Sequence, residues 1–199
     1  MKSQIRFLFV FLVLLGAVTS ALAQVYKGVK VAFVPVFNQS GEKWVELQAR
    51  QVEAGNKWLV EEFTKRGFTV APAEEVAKAI NELKIDFGDE EQRTRENLYK
   101  LGQKTGATLV AFPVIVASKQ GKTGGFLPKA QGEVTLKLWL MDAVKKEPII
   151  YAVTVKGKAS GSSFLTGIEK GSDLQVKAVG NTLKDQFKKF FADYPLIGG

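Results

Sequence analysis

The residue types that most often carry out chemistry are scarce in this chain of 199 residues, which contains no histidine and no cysteine. Histidine-based catalytic triads, thiol nucleophiles and Cys/His zinc sites are therefore excluded. Only carboxylate and lysine chemistry remains. No two acidic residues stand at a spacing that predicts general acid–base catalysis. The sequence thus predicts a protein that is not an enzyme and that needs no cofactor.

The densest acidic segment is 86–91, which holds Asp86, Asp89, Glu90 and Glu91. Their carboxylates could bind Ca²⁺ through oxygen ligands, but the spacing is not that of an EF-hand loop. Acidic side chains ahead of a helix also stabilise its N-terminus electrostatically. We favour this second interpretation and predict no metal site, while the binding of an ion by this segment stays open as the alternative.

The sequence Gly121-Lys122-Thr123 is similar to the end of a phosphate-binding loop. That motif requires a glycine five positions earlier, where this chain has Val116, and it requires a helix afterwards. The residues that follow predict a strand. We therefore reject a nucleotide-binding loop here.

A glycine- and lysine-rich pair of segments is the stronger candidate for a binding surface. The segments 118–131 and 159–172 are predicted to be loops at the same end of a sheet, where flexible glycines, lysines and exposed aromatic rings suit an anionic or protein partner. Two solvated loops with apolar residues packed back onto the sheet are the simpler interpretation. The candidate partner-binding residues are Lys119, Lys122, Phe126, Lys129, Lys158, Phe164 and Lys170.

Hydrophobic patterning predicts the elements that would position these residues. The run 107–116 is almost wholly apolar, as in a central strand, whereas Val134, Leu136, Leu138 and Leu140 alternate with other residues, as in a half-buried strand. The element order β-α-β-α-α-β-β-β-α predicts a single-domain α/β fold. In it, helices pack on a mixed β-sheet that ends in an antiparallel C-terminal hairpin. The predicted strands are 29–37, 68–71, 107–116, 133–142 and 149–158, and the predicted helices are 42–66, 74–83, 90–104 and 173–194.

The first residues predict an export signal. Lys2 and Arg6 precede an apolar stretch, and Ala21-Leu22-Ala23 is typical of a cleavage site. We expect residues 1–23 to be a signal peptide and residues 24–199 a single α/β domain, periplasmic or secreted and soluble after cleavage following Ala23. Loss of the signal lowers the net charge from +8 to +6. Without cysteine, no lipid anchor is expected at the cleavage site.

The sequence contains five phrases, at 31–38, 67–70, 106–111, 132–142 and 149–151, that resemble those of a group of bacterial envelope domains. The group comprises the amino-terminal domain of TolB, the CsgG-type secretion-channel family and the outer-membrane activators of penicillin-binding proteins. Three departures limit what the resemblance implies: the chain has no anchor cysteine, no room for a TolB propeller, and short polar loops where channels carry membrane-spanning hairpins.

Together these observations predict an exported, non-enzymatic cell-envelope accessory protein that binds an envelope protein or an anionic wall polymer. No nucleic-acid motif is present, and a monomer or small homo-oligomer is expected. Two alternatives stay open. One is an oligomeric component of the secretion-channel type, which rests on the resemblance. The other is an enzyme that uses carboxylate or lysine chemistry.

Overall fold

The computed structural model describes residues 28–123, 129–161 and 171–193, and for Lys122, Thr123, Lys129, Gly171 and Asp193 it describes the backbone alone. The α-helices are α1 (Val45–Lys65), α2 (Ala73–Leu83), α3 (Arg95–Thr105) and α4 (Gly171–Asp193). A short 3₁₀ helix spans Glu90–Gln92. The strands are β1 (Lys30–Phe33), β2 (Phe37–Asn38), β3 (Thr69–Val70), β4 (Leu109–Thr123), β5 (Lys129–Asp142) and β6 (Glu147–Ser160).

All six strands belong to one mixed sheet. Its order is β3-β1-β4-β5-β6, and β2 pairs with β4 beyond the end of β1. The pairs that β1 and β2 form are parallel, whereas β4, β5 and β6 run antiparallel to one another. The predicted fold class, a mixed α/β sheet with an antiparallel C-terminal hairpin, is confirmed. The predicted first strand, 29–37, is interrupted at Pro35, because proline has no backbone N–H to donate to a neighbouring strand.

Helices pack on both faces of the sheet. On the first face, α1 and α4 cover Val134, Leu136, Leu138 and Leu140, which are fully buried. On the second face, α2 and α3 cover an apolar cluster that includes Trp139. The period-two alternation of β5 therefore separates two apolar cores, as expected for a strand between two helical layers. We refer to these as the α1/α4 face and the α2/α3 face.

Two glycines let α4 lie directly against the hairpin. A Cβ atom at Gly132 of β5 would lie 2.3 Å from the backbone nitrogen of Gln175, and one at Gly157 of β6 would lie 1.9 Å from Oγ1 of Thr182. No side chain fits into either gap. The approach of α4 to the sheet therefore depends on glycine at both positions.

The long hairpin extends well beyond its predicted limits. Strand β4 continues to Thr123 and β5 begins at Lys129, so the segment 118–131, predicted to be a loop, is mostly paired strand. The sequence signal is weak there, because small or polar residues such as Ser118 and Gln120 alternate with Lys119. Backbone hydrogen bonds hold such a strand without an apolar period.

The outer strand β6 has an irregular register. Leu138 pairs with Val153, Leu140 with Ile150, and Met141 with Pro148, so β6 contains two more residues than the β5 segment that it faces. Each extra residue is a β-bulge. Ala152 has φ of 51°, in the left-handed region.

Within the described part of the chain, no helix combines the length and the apolar character required of a transmembrane segment.

Candidate functional site

Among the described residues, no helix covers one side of the outer halves of β4, β5 and β6. The apolar cluster under α2 and α3 includes Val114 of β4 and Trp139 of β5. It ends at Val116, so it does not extend into the part of the hairpin near Lys122 and Ala130. Beyond it, Lys119, Glu133 and Lys158 are direct cross-strand partners on adjacent strands. Their side chains share the side opposite Val134, which points to α4.

This surface, which we call the open face, is cationic. Lys156 Nζ lies 2.7 Å from Oε1 of Glu133, and Lys158 Nζ lies 3.7 Å from its Oε2. Lys119 stands on the other side of the same carboxylate and forms no ion pair with a described residue. Three lysines thus surround one glutamate, with an excess of two positive charges. The open face consists of Lys119, Glu133, Thr135, Lys156 and Lys158.

The lysines fix the ionisation of Glu133. The hydrogen bond from Lys156 lowers the pKa of the Glu133 carboxyl below its ordinary value of 4.5, and the charges of Lys156, Lys158 and Lys119 lower it further against an opposing effect of desolvation. The carboxylate is therefore ionised at neutral pH and cannot donate a proton. The arrangement is suited to binding an anion, not to acid catalysis.

A lowered pKa in the folded state links Glu133 to stability. The ion pairs contribute fully to the free energy of unfolding at pH values above the unfolded-state pKa of Glu133. This contribution is lost as the pH falls through the lower folded-state pKa. We expect Glu133→Gln to be less stable than the native chain at neutral pH, with the difference shrinking below about pH 4.5. Urea unfolding of both proteins at several pH values would measure this, and a pH-independent difference would contradict it.

The acidic segment 86–91 is engaged by nearby protein groups. Oδ1 of Asp86 accepts a hydrogen bond from the backbone N–H of Gly88, and Oδ1 of Asp89 accepts one from that of Glu91 at the start of the 3₁₀ helix. Glu90 lies 2.8 Å from Lys137 Nζ, which lowers its pKa. In the described ranges, no group of three or more acidic side chains could hold a metal ion.

The predicted helix 90–104 is shorter than expected. Its α-helical part begins at Arg95, where Oγ1 of Thr94 accepts a hydrogen bond from the backbone N–H of Asn97. Asp89 caps the preceding 3₁₀ turn instead. The acidic residues therefore stabilise a turn next to the helix, and the helix itself begins at a threonine cap.

The structure places the predicted partner-binding residues in three groups. Lys119 and Lys158 lie on the open face, on either side of β5. Lys122 and Lys129 occupy backbone positions at the end of the β4–β5 hairpin, at the same end of the sheet as the end of β6. The remaining predicted residues, Phe126, Phe164 and Lys170, lie outside the described residues. Glu133 was not predicted, although its position opposite Val134 in the alternation of β5 could have indicated it.

A second feature lies at the same end of the sheet, on the α1/α4 face. A cavity of about 430 Å³ opens between the β2–α1 loop, β4 and α4. The indole of Trp44, 62% exposed, stands at its rim. Its lining residues are Ser40, Gly41, Glu42, Lys43, Trp44, Ser118, Gln120 and Gln175. We call it the Trp44 cavity.

A chain of neutral hydrogen bonds runs along the base of this cavity. Asn38 Nδ2 donates to Gln51 Oε1 at 2.8 Å, and Gln51 Nε2 donates to Ser118 Oγ at 2.7 Å. Gln175 Nε2 donates to the same hydroxyl at 2.6 Å, and Gln120 Nε2 donates to Gln175 Oε1 at 2.9 Å. Gln51 and Gln175 are almost completely buried. Satisfied polar groups at this depth fix the relative positions of β2, α1, β4 and α4.

Sequence reasoning missed this chain of amides. Gln51 occupies the buried stripe of α1 between Leu47 and Leu59. A glutamine in the middle of an apolar stripe indicates a buried polar partner, but the stripe does not say which strand supplies it. The partner, Ser118, belongs to a segment that was predicted to be a loop.

Comparisons with known proteins give only distant matches. No family model matches the chain, and no curated protein matches it. The C-terminal domain of LpoB from Escherichia coli is 20% identical, with a TM-score of 0.42, and the match covers 69% of this chain and 87% of that one. A lipoprotein from Neisseria meningitidis is 16% identical, with a TM-score of 0.46, and the match covers 79% and 99%.

A minor lipoprotein from Acinetobacter baumannii is 12% identical, with a TM-score of 0.44, and the match covers 85% of this chain and 95% of that one. The resemblances expected from the sequence, to TolB, to CsgG and to activators of penicillin-binding proteins, stay predictions. At these identities and TM-scores, the matches assign no activity to the chain.

Proposed function

We propose that this chain is an exported, non-enzymatic accessory protein of the cell envelope that binds an envelope protein or an anionic wall component through the open face. One observation carries the proposal: three lysines on the two strands that flank β5 surround a single carboxylate, on a sheet surface that no described helix covers. Exposed cations of this kind attract an anionic partner and raise its rate of association.

The geometry supports a broad, multi-point contact. Lys119, Glu133 and Lys158 lie in one cross-strand row. Lys156 is two residues from Lys158 on β6, on the same side of the sheet, and pairs with Thr135. Adjacent strands are about 4.8 Å apart, so the charges are spread over a flat area and do not converge in a pocket. Binding through such exposed charges should weaken as salt is added, because the Debye length falls to about 8 Å at physiological ionic strength.

The same geometry supports a non-enzymatic role. Glu133 is surrounded by cations that lower its pKa, and no second carboxylate is its cross-strand partner. A general acid at neutral pH would need the opposite shift. A binding role requires only that the lysines are protonated and Glu133 is ionised, which are their ordinary states at neutral pH.

A matched pair of triple variants tests this proposal. Lys119→Gln, Lys156→Gln and Lys158→Gln together remove three charges from the open face. Lys57→Gln, Lys184→Gln and Lys188→Gln remove three charges from exposed positions of α1 and α4. Partners captured from solubilised envelope by the native protein would be identified by mass spectrometry. Their affinities for the three proteins would then be measured at two salt concentrations.

We expect the open-face variant to lose at least about tenfold in affinity, which corresponds to about 1.4 kcal/mol. The control variant should bind as the native chain does, and added salt should weaken native binding. Equal loss in both variants would show that only the net charge matters. Equal binding by all three proteins, or no capture at all, would overturn the proposal.

A further inference from the structure

The Trp44 cavity has the properties of a site for a neutral ligand. Its two charged lining residues, Glu42 and Lys43, are of opposite sign, and the others carry no charge. Its volume of about 430 Å³ lies in the ordinary range for small-ligand pockets. It opens on the opposite side of the sheet from the open face, so its occupancy does not depend on the lysines there.

The loop that carries Trp44 is held in place by its own hydrogen bonds. Asn38 Oδ1 accepts from the backbone N–H and from the hydroxyl of Ser40, and the backbone N–H of Trp44 donates to Oε1 of Glu42. Gln48 Nε2 donates to the backbone carbonyl of Glu42. The exposed indole is therefore presented by an ordered turn, which lowers the entropy cost of binding.

The backbone N–H of Ser40 also fixes the direction of the amide chain as far as Ser118. Because an N–H can only donate, Asn38 must turn Oδ1 towards Ser40 and its Nδ2 towards Gln51. Gln51 then donates to Ser118. At the far end, Gln120 uses Nε2 to bond Gln175, while its Oε1 accepts no hydrogen bond from a described residue.

We propose that the Trp44 cavity binds one N-acetylated sugar ring of a glycan. The C–H face of a pyranose ring is apolar and stacks on an exposed indole, whose apolar body and polar N–H suit a half-hydrated ligand. Primary amides match an acetamido group, because each side offers both a donor and an acceptor. Gln120 Oε1, to which no described residue donates, supplies the acceptor for the acetamido N–H, and the Ser118–Gln175 base forms the polar floor.

Stacking on the ring face of Trp44 provides most of the affinity for the sugar. The hydrogen bond with the amide of Gln120 discriminates an N-acetylated sugar from one without an acetamido group. Gln51 acts through Ser118 and is a positioning residue, since it does not line the cavity. An anionic ligand is disfavoured because the lining has no net charge. A flat protein partner would engage the exposed ring of Trp44 without needing the amides beneath it.

Tryptophan fluorescence provides a direct test. The chain has three tryptophans, of which Trp139 is buried, Trp58 is partly buried, and Trp44 alone is largely exposed. A soluble trimer of N-acetylglucosamine should shift the emission to shorter wavelength and protect Trp44 from quenching by iodide. A trimer of glucose should bind at least about tenfold more weakly, since it lacks the acetamido group.

Variants separate the proposed contacts from a general surface effect. Calorimetry should show at least about a tenfold loss of affinity for the N-acetylglucosamine trimer in Trp44→Ala and in Gln120→Ala, with circular dichroism unchanged. Val45→Ser, next to Trp44 and outside the cavity lining, should bind normally. Absence of binding at millimolar trimer would overturn the proposal, as would normal binding by Trp44→Ala. Equal binding of the glucose trimer would overturn the assignment of the acetamido group.

Discussion

Phe63→Ala is expected to lower the free energy of unfolding by about 3–5 kcal/mol, the range found when a buried phenylalanine is truncated. Phe63 of α1 is fully buried at the centre of the α1/α4 face. Alanine would leave a cavity walled by rigid rings that cannot collapse into it. The rings of five other phenylalanines lie within 6.4 Å of its ring, centroid to centroid: Phe33, Phe68, Phe187, Phe190 and Phe191.

Urea unfolding followed by circular dichroism would measure this loss. Val60→Ala is the matched control, because Val60 is on the same helix and is 44% exposed, so its truncation should change stability by no more than about 0.5 kcal/mol. Similar losses in the two variants would show that the aromatic cluster is not the centre of the fold.

Gly132→Ala is expected to destabilise the protein by about 1–3 kcal/mol, the usual cost of inserting a group into a packed region. The new methyl group would lie 2.3 Å from the backbone of Leu174 and Gln175. Backbone cannot yield as a flexible side-chain end does, so the first turn of α4 must move away from β5. Because Gln175 moves with it, the hydrogen bond to Ser118 should lengthen and the Trp44 cavity should change shape.

Thermal unfolding measures the loss of stability, and iodide quenching of Trp44 reports the cavity. Gly121→Ala is the control on the neighbouring strand, where an added Cβ meets no atom within 4 Å. It should leave the melting temperature almost unchanged. If Gly132→Ala were as stable as Gly121→Ala, then α4 would not lie against the sheet as described.

The element order was predictable because most elements have an apolar period. The buried alternation of β5 from Val134 to Leu140 and the apolar run of β4 from Leu109 to Ile115 were recognisable as strands. The outer half of the hairpin has no such period. Lys119 and Glu133 face water on one side there, while Ser118 and Gln120 meet polar partners on the other. Strand pairing of that kind depends on backbone hydrogen bonds, which residue types do not reveal.

The candidate sites were predictable to different degrees. The lysines of the hairpin were identified because they are concentrated in segments that were predicted to lie at the same end of the sheet. The register of β4, β5 and β6 then places Lys119 and Lys158 on one surface. The Trp44 cavity was not predicted. Its base joins Asn38, Gln51, Ser118 and Gln175, which are far apart in sequence and have no shared motif. Only tertiary packing brings such residues together.

The irregular register of β6 also bears on how copies of this protein behave towards one another. A straight, unprotected border strand offers a row of unpaired N–H and C=O groups on which further chains can assemble into ribbons and fibrils. Here the outer strand, β6, is bent by two bulges, and its C-terminal half has the positively charged side chains of Lys156 and Lys158. The opposite border strand, β3, is two residues long. Among the described strands, neither border offers a long, flat template, so self-association into amyloid-like stacks is disfavoured even where the protein is crowded.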